Sequence, residues 1–249
     1  QVRTAQAANC TRPYWIWWYA QNGMVCNPGA PSRPQPPYSV IQSDVNNGNS
    51  NYHSLQVNLT GRVSHMTVLA SYTWSHTIDN VDSDVPGQNP NDPNFTGRQE
   101  RANAIFDQRH RAVFSGVWSG IWGLHMGGVV TLASGLPYNY VTGVNNSGDT
   151  GATTDRPVIN GVVVGRNAGR GAPIYEVSPL VERPITFHEH LRLEPRIEVL
   201  NLFNHPNFAG YSGTYGNGAA PGPGFGAPLA GVTNQLQARS IQFHLKAMF

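Results

Sequence analysis

Charge is scarce in this chain: Asp, Glu, Lys and Arg together make up 12% of 249 residues, with a formal net charge of +2. The arginines are dispersed, so the basic stripe that marks a nucleic-acid surface is missing, and nucleic acid is not an expected partner. No run of about 18 apolar residues occurs, which excludes a membrane-spanning helix but not spanning strands, whose apolar half is hidden by alternation. The amino-terminus lacks a basic region followed by an apolar stretch, so any export signal is expected to have been removed or to lie outside this sequence. Cysteine is limited to Cys10 and Cys26, read as a loop disulfide in an oxidising compartment or as two unrelated thiols.

What the chain does hold is Gly (27), Pro (19), 10% aromatics and long stretches of strict alternation. Disorder fits poorly, because the periodic segments carry apolar surface worth burying. In the last eleven residues Ile241, Phe243, Leu245, Ala247 and Phe249 share one face, and Gln242, His244 and Lys246 share the other. That pattern suits a strand with lipid on one side and a polar interior on the other.

The same alternation recurs upstream. Residues 38–43 read as a short first strand, followed by an Asn-rich turn. In residues 52–63, Leu55, Val57, Leu59, Gly61 and Val63 oppose Gln56, Asn58, Thr60 and Arg62. Met66, Val68, Ala70, Tyr72 and Trp74 form the next apolar face, joined through Ser64-His65, the length of a tight hairpin. Further strands are expected at 108–121, 124–137 and 181–188, and then at 191–199, where Leu191, Leu193, Pro195, Ile197 and Val199 oppose Arg192, Glu194, Arg196 and Glu198. Four charges on one face require an aqueous or protein-filled lumen. Residues 80–105, 138–180 and 204–235 are long Gly-, Asn- and Pro-rich excursions that alternate with short turns, as in a barrel with short periplasmic turns and long outer loops.

The expected fold is therefore all-β: an antiparallel transmembrane β-barrel portion of about eight strands with long outer loops, incomplete as a barrel by itself. Residues 1–35, with Tyr14-Trp-Ile-Trp-Trp-Tyr19 and a Pro-rich stretch, read as an irregular aromatic loop or capping segment ahead of the barrel portion at 36–249. Tyr72, Trp74, Trp118, Trp122, Tyr138, Tyr140 and Phe249 fall near strand ends, where interfacial girdles form.

No arrangement compels catalysis, and the chain is expected not to be an enzyme or to hold an organic cofactor. Asp79, Asp82 and Asp84 offer hard oxygen ligands in a loop, a weak calcium reading set against an ordinary hydrated loop. His188 and His190 share a strand face but need a third metal ligand. Phe106-Asp-Gln-Arg-His-Arg111 stands where a long loop re-enters the strands, and Asp107, Arg109 and Arg111 are expected to form a polar network that orders the loop or meets a plug, set against simple solvation of a strand end. Arg192, Glu194, Arg196 and Glu198 are grouped with it as lumenal charges.

Five segments, Asn51-Tyr-His-Ser-Leu-Gln56, Ala70-Ser-Tyr-Thr-Trp-Ser-His-Thr-Ile-Asp79, Phe106 to Arg111, Leu132-Ala-Ser-Gly-Leu-Pro137 and Glu198-Val-Leu-Asn-Leu-Phe-Asn-His-Pro-Asn-Phe208, resemble TonB-dependent outer-membrane receptors of the Oar-like type, which carry a carboxypeptidase-regulatory-like amino-terminal domain. The resemblance implies a barrel of about 22 strands around a plug, of which this sequence matches about the final third. It also implies outer-membrane lipid, the remainder of the receptor, TonB (through a segment absent here) and an unidentified solute as partners. The expectation is a fragment of a longer receptor, with a reduced relative as the other possibility. A structural or adhesion module at the cell surface is the competing function class, and a soluble extracellular hydrolase is disfavoured by the lack of paired catalytic groups.

Overall fold

The computed structural model describes residues 10, 13–27, 34–38, 48–81, 100–146, 155–187, 191–229 and 238–249. Seven long strands dominate them: β1 (Ser50–Val63), β2 (Met66–Asp79), β3 (His110–Ser119), β4 (His125–Ala133), β5 (Ile174–Glu182), β6 (Leu191–Leu200) and β7 (Ser240–Met248). Each pairs antiparallel with the next in sequence, giving one up-and-down sheet. The first expected strand, 38–43, falls outside the described residues beyond Tyr38.

The register carries one apolar row from edge to edge. Leu59 faces Ala70, Ala70 faces Phe114, Phe114 faces Val130, and Val130 faces Val177. Val181 then faces Ile197, which faces Phe243. These side chains stay at the surface, with Phe243 77% and Leu245 70% exposed. Directly opposed residues share a face and a one-residue slip would turn every apolar group inward, so hairpin register and sequence alternation fix the same outcome. The opposite face carries Gln56, Thr73, Arg111, Glu176, Glu182, Arg196 and His244 in the matching pairs. An apolar exterior and a polar interior is the arrangement that hydrocarbon outside and water or protein inside would stabilise.

Connections sort by end. β1–β2 joins through Ser64-His65, with Ser64 at φ 51°, and β3–β4 joins through a short turn containing Trp122 at φ 59°. The connections 80–109, 134–173 and 201–239 leave and re-enter the strands at the other end. The carboxy-terminus lies at the short-turn end, where Met248 pairs with Arg192.

β1 and β7 both run from the long-loop end to the short-turn end, since Ser50 pairs with Asp79 and Ser240 with Leu200. They are parallel to each other. Among the described residues nothing pairs with the free edge of either, and the sheet does not close. A seam joining β1 to β7 would be parallel, whereas an all-antiparallel barrel needs an odd number of further strands between them.

Two elements differ from the sequence reading. Residues 174–180, read as loop, belong to β5, and the strand expected at 181–188 is its end followed by a bend and the short Ile185–Phe187 segment. Pro179 disguised the strand, because proline in a sheet interior normally argues against one. Here it sits opposite Gly128, where an added Cβ would come within 3.1 Å of the Pro179 Cα. The segment read as irregular, Tyr14 to Tyr19, lies in a helix, α1 (Pro13–Gln21). Aromatics on every side concealed its period, and burial picks out the i, i+4 pair Trp15 and Tyr19. Cys10 and Cys26 form a disulfide bracketing α1, and the Tyr19 hydroxyl donates to the Pro34 carbonyl at 2.6 Å.

Candidate functional site

The long connections fold onto one another at the mouth of the sheet. Asp107, 1% exposed, is the hub. Its Oδ1 accepts the Thr77 backbone N–H at 2.8 Å, and its Oδ2 accepts Arg109 Nε at 2.8 Å and an Arg170 Nη at 2.9 Å. Arg170 also donates to the carbonyls of Asp107 and Gly135, both at 3.0 Å. One carboxylate thus joins β2, the return of the first long connection and the end of the second. Burial pushes the carboxyl upward, but the Thr77 N–H and the two guanidiniums outweigh it and hold Asp107 below the ordinary carboxylate value of 3.8. Since the folded value is the lower one, its contribution to stability is complete above that ordinary value and is lost as pH falls through the folded value.

At the last residue of β2, two beyond Thr77, Asp79 pairs with Arg166, which donates to the Glu100 carbonyl at 3.1 Å, while Arg156 pairs with Glu100, all of them buried. Asn167 donates to the Asn103 carbonyl at 2.7 Å. Buried charges in mutual contact are costly to separate, so these pairs hold the first two connections in one arrangement.

The second and third connections share an aromatic cluster. Tyr138 stacks on Tyr211 at 5.6 Å, and Phe225 meets Tyr140 edge-on at 4.7 Å and Tyr215 edge-on at 5.1 Å. Tyr138 and Tyr140, expected in an interfacial girdle, belong to this loop core instead. Backbone approaches closely here: a Cβ at Gly213 would lie 1.7 Å from the Asn139 carbonyl oxygen. Gly213→Ala is therefore expected to separate the two connections at about 1–3 kcal/mol or more. Gly61→Ala, with nothing within 4 Å, is expected to be nearly silent. Protease susceptibility of residues 134–173 distinguishes the two.

Asn201 anchors the start of the third connection: its side chain donates to the His205 carbonyl at 2.9 Å and accepts the His205 N–H at 3.0 Å. Asn207 bonds both backbone groups of Tyr175, at 2.9 and 2.8 Å, in place of a neighbouring strand.

The sequence-derived polar network divides in two. Asp107 and Arg109 meet in the loop, before β3 begins, whereas Arg111 lies on β3 and reaches Gln108 Oε1 at 3.4 Å. The strand charges form a separate ladder on the polar face of β5 to β7. Arg192 meets Glu194 at 2.8 Å, Lys246 meets Glu194 at 3.5 Å, and Arg196 Nε donates to Glu182 at 2.7 Å. Glu198 faces His244 at 3.9 Å. Arg156, Arg166 and Arg170 escaped sequence reading because they lie in a Gly-rich stretch without periodicity. Of the acidic trio, Asp79 is buried against Arg166, while Asp82 and Asp84 lie outside the described residues, as do His188 and His190.

A family model described as an outer membrane beta barrel domain matches residues 3–164, more than half of the chain. The chain belongs to the outer membrane β-barrel family. Membership places it in the bacterial outer membrane, with its apolar row against lipid. The loop platform then lies at the outer surface and the short turns in the periplasm. Exposed Trp118, Trp122 and Phe249 at the turn end and Trp74 and Tyr72 near the loop end mark the two borders of the apolar row. No curated protein and no solved structure matches the chain.

Proposed function

We propose that this chain is the carboxy-terminal barrel portion of a TonB-dependent outer-membrane receptor that takes up a solute. The observation that carries the reading is that β1 and β7 run parallel and that, among the described residues, nothing pairs with the outer edge of either. An open sheet cannot persist in hydrocarbon with unpaired backbone groups, and antiparallel completion needs an odd number of strands. The seven long strands among the described residues, placed at the end of an even-numbered barrel, meet that requirement, and 22 less seven is odd. Two copies related about the membrane normal do not, because their seams would again be parallel.

The lumenal ladder supports the same reading. Glu182, Glu194 and Glu198 are balanced by Arg192, Arg196 and Lys246, so this wall has satisfied polar groups that suit a protein plug. Residues of the segments that resemble the receptors also tie the long connections to the sheet: Asp107 accepts the Thr77 N–H, Ser134 accepts the His110 N–H, and the Asn201 N–H donates to Ser178.

Cryo-electron microscopy of the native assembly extracted from outer membranes tests this. Antiparallel strands of the same polypeptide are expected on both edges, with a plug against the Glu194 ladder and solute uptake that stops when TonB is removed. A seam between β1 and β7, or edges covered by other chains around an empty lumen, would favour a surface assembly module instead.

A further inference from the structure

Above the apolar row, the end of β2 and residues 101–103 form an open cavity that faces outward rather than into the lumen. It measures about 510 Å³ and is lined by His76, Ile78, Arg101, Ala102 and Asn103. Its orientation follows from register: Leu55 opposes Trp74, His53 opposes His76, and Asn51 opposes Ile78, all on the lipid-facing side. Each step of two residues rises about 7 Å along the strand. His53 and His76 thus stand one step beyond Trp74, and Ile78 stands two, at the depth of the headgroup layer.

We infer that this cavity binds a phosphate group on the headgroup of an outer-leaflet lipid. Arg101 supplies the charge: it donates to Asn49 Oδ1 at 2.9 Å and to Asn51 Oδ1, which hold the guanidinium while three of its five N–H donors remain. Asn103 Oδ1 accepts His76 Nε2–H at 3.1 Å and an Arg109 Nη at 3.0 Å, leaving its amide NH₂ as a donor for an incoming oxygen. None of the lining residues is acidic, and Asp79, next to Ile78 on β2, is paired with Arg166. Ile78 and Ala102 give the cavity an apolar wall for the lipid body. A fixed guanidinium with flanking N–H donors matches a phosphomonoester, and opening toward lipid favours a headgroup over a dissolved ion. This site depends on the long loops facing outward and holds whether or not the barrel is coupled to TonB.

The test uses the native assembly in micelles of a phosphate-free alkyl maltoside detergent carrying either bisphosphorylated lipid A or its dephosphorylated form. Bound lipid is counted by mass spectrometry. The phosphorylated form is expected to be retained and the dephosphorylated form lost. Arg101→Ala should weaken retention about tenfold or more, Arg101→Lys less, and Arg62→Ala, on the lumenal face, not at all. His76→Ala, which alters a lining residue, provides a second, milder loss should Arg101→Ala reduce assembly. Equal retention of both lipids, or unchanged retention by assembled Arg101→Ala, would overturn the inference. Competition by inorganic phosphate at concentrations matching the lipid would also overturn it, in favour of a free-anion site.

Discussion

Asp107→Ala is expected to release the loop platform while leaving the seven strands paired. The substitution strands Arg109 and Arg170 without their shared carboxylate and the Thr77 N–H without an acceptor. Breaking a buried pair in this way costs about 3–5 kcal/mol. That loss falls on the contacts between 100–109 and 155–173, because Asp107 lies outside the strands. Hydrogen exchange at Thr77 and in residues 166–172 should rise steeply in the variant, while exchange within β3 to β4 stays slow. Asp107→Asn, which keeps an acceptor for Thr77 but loses the charge, should fall between the two. In the unsubstituted protein the same residues should lose protection on acidification, below the ordinary carboxylate value of 3.8 and not above it. Protection that is flat with pH, or equal in Asp107→Ala, would remove Asp107 as the hub.

Phe243→Arg carries the second large effect. Phe243 sits near the middle of β7 on the apolar row, so an arginine there must enter hydrocarbon at a cost of about 2–4 kcal/mol. Gln242→Arg, one residue away on the polar face beside Glu198, should cost far less. The comparison is internal, because the two positions share depth and strand and differ in the direction of the side chain. Folding yield into vesicles and urea midpoints read the difference. Similar losses at both positions would contradict a two-solvent sheet.

How much of this was legible in the sequence depended on periodicity. Strands such as β1, β2 and β7 were visible because Leu55 to Val63, Met66 to Trp74 and Ile241 to Ala247 alternate without interruption, and period 2 names both the strand and its two faces. β5 was half hidden: Pro179 is a strand breaker by rule, and only Gly128 across the ladder makes room for it. The loop platform was almost opaque. Its ion pairs join residues such as Asp79 and Arg166 that are far apart in sequence, and no local pattern links them. One local signal there was readable, since Asn160-Gly161, both at positive φ, closes the small hairpin of Val158–Ile159 and Val162–Val163. Asp107 and Arg109 could be paired from sequence because they are neighbours; Arg170, their third partner, could not.

The two faces of the sheet meet different solvents, lipid on the apolar row and water or protein on the polar one. Spin labels placed singly at positions 241 to 246 in the membrane-embedded assembly, read for collision with oxygen and with a water-soluble nickel complex, test it most directly. Accessibility should alternate, with 241, 243 and 245 favouring oxygen and 242, 244 and 246 favouring the nickel complex or shielded from both by a plug. Oxygen preference at 242, 244 and 246, or no alternation along β7, would contradict it.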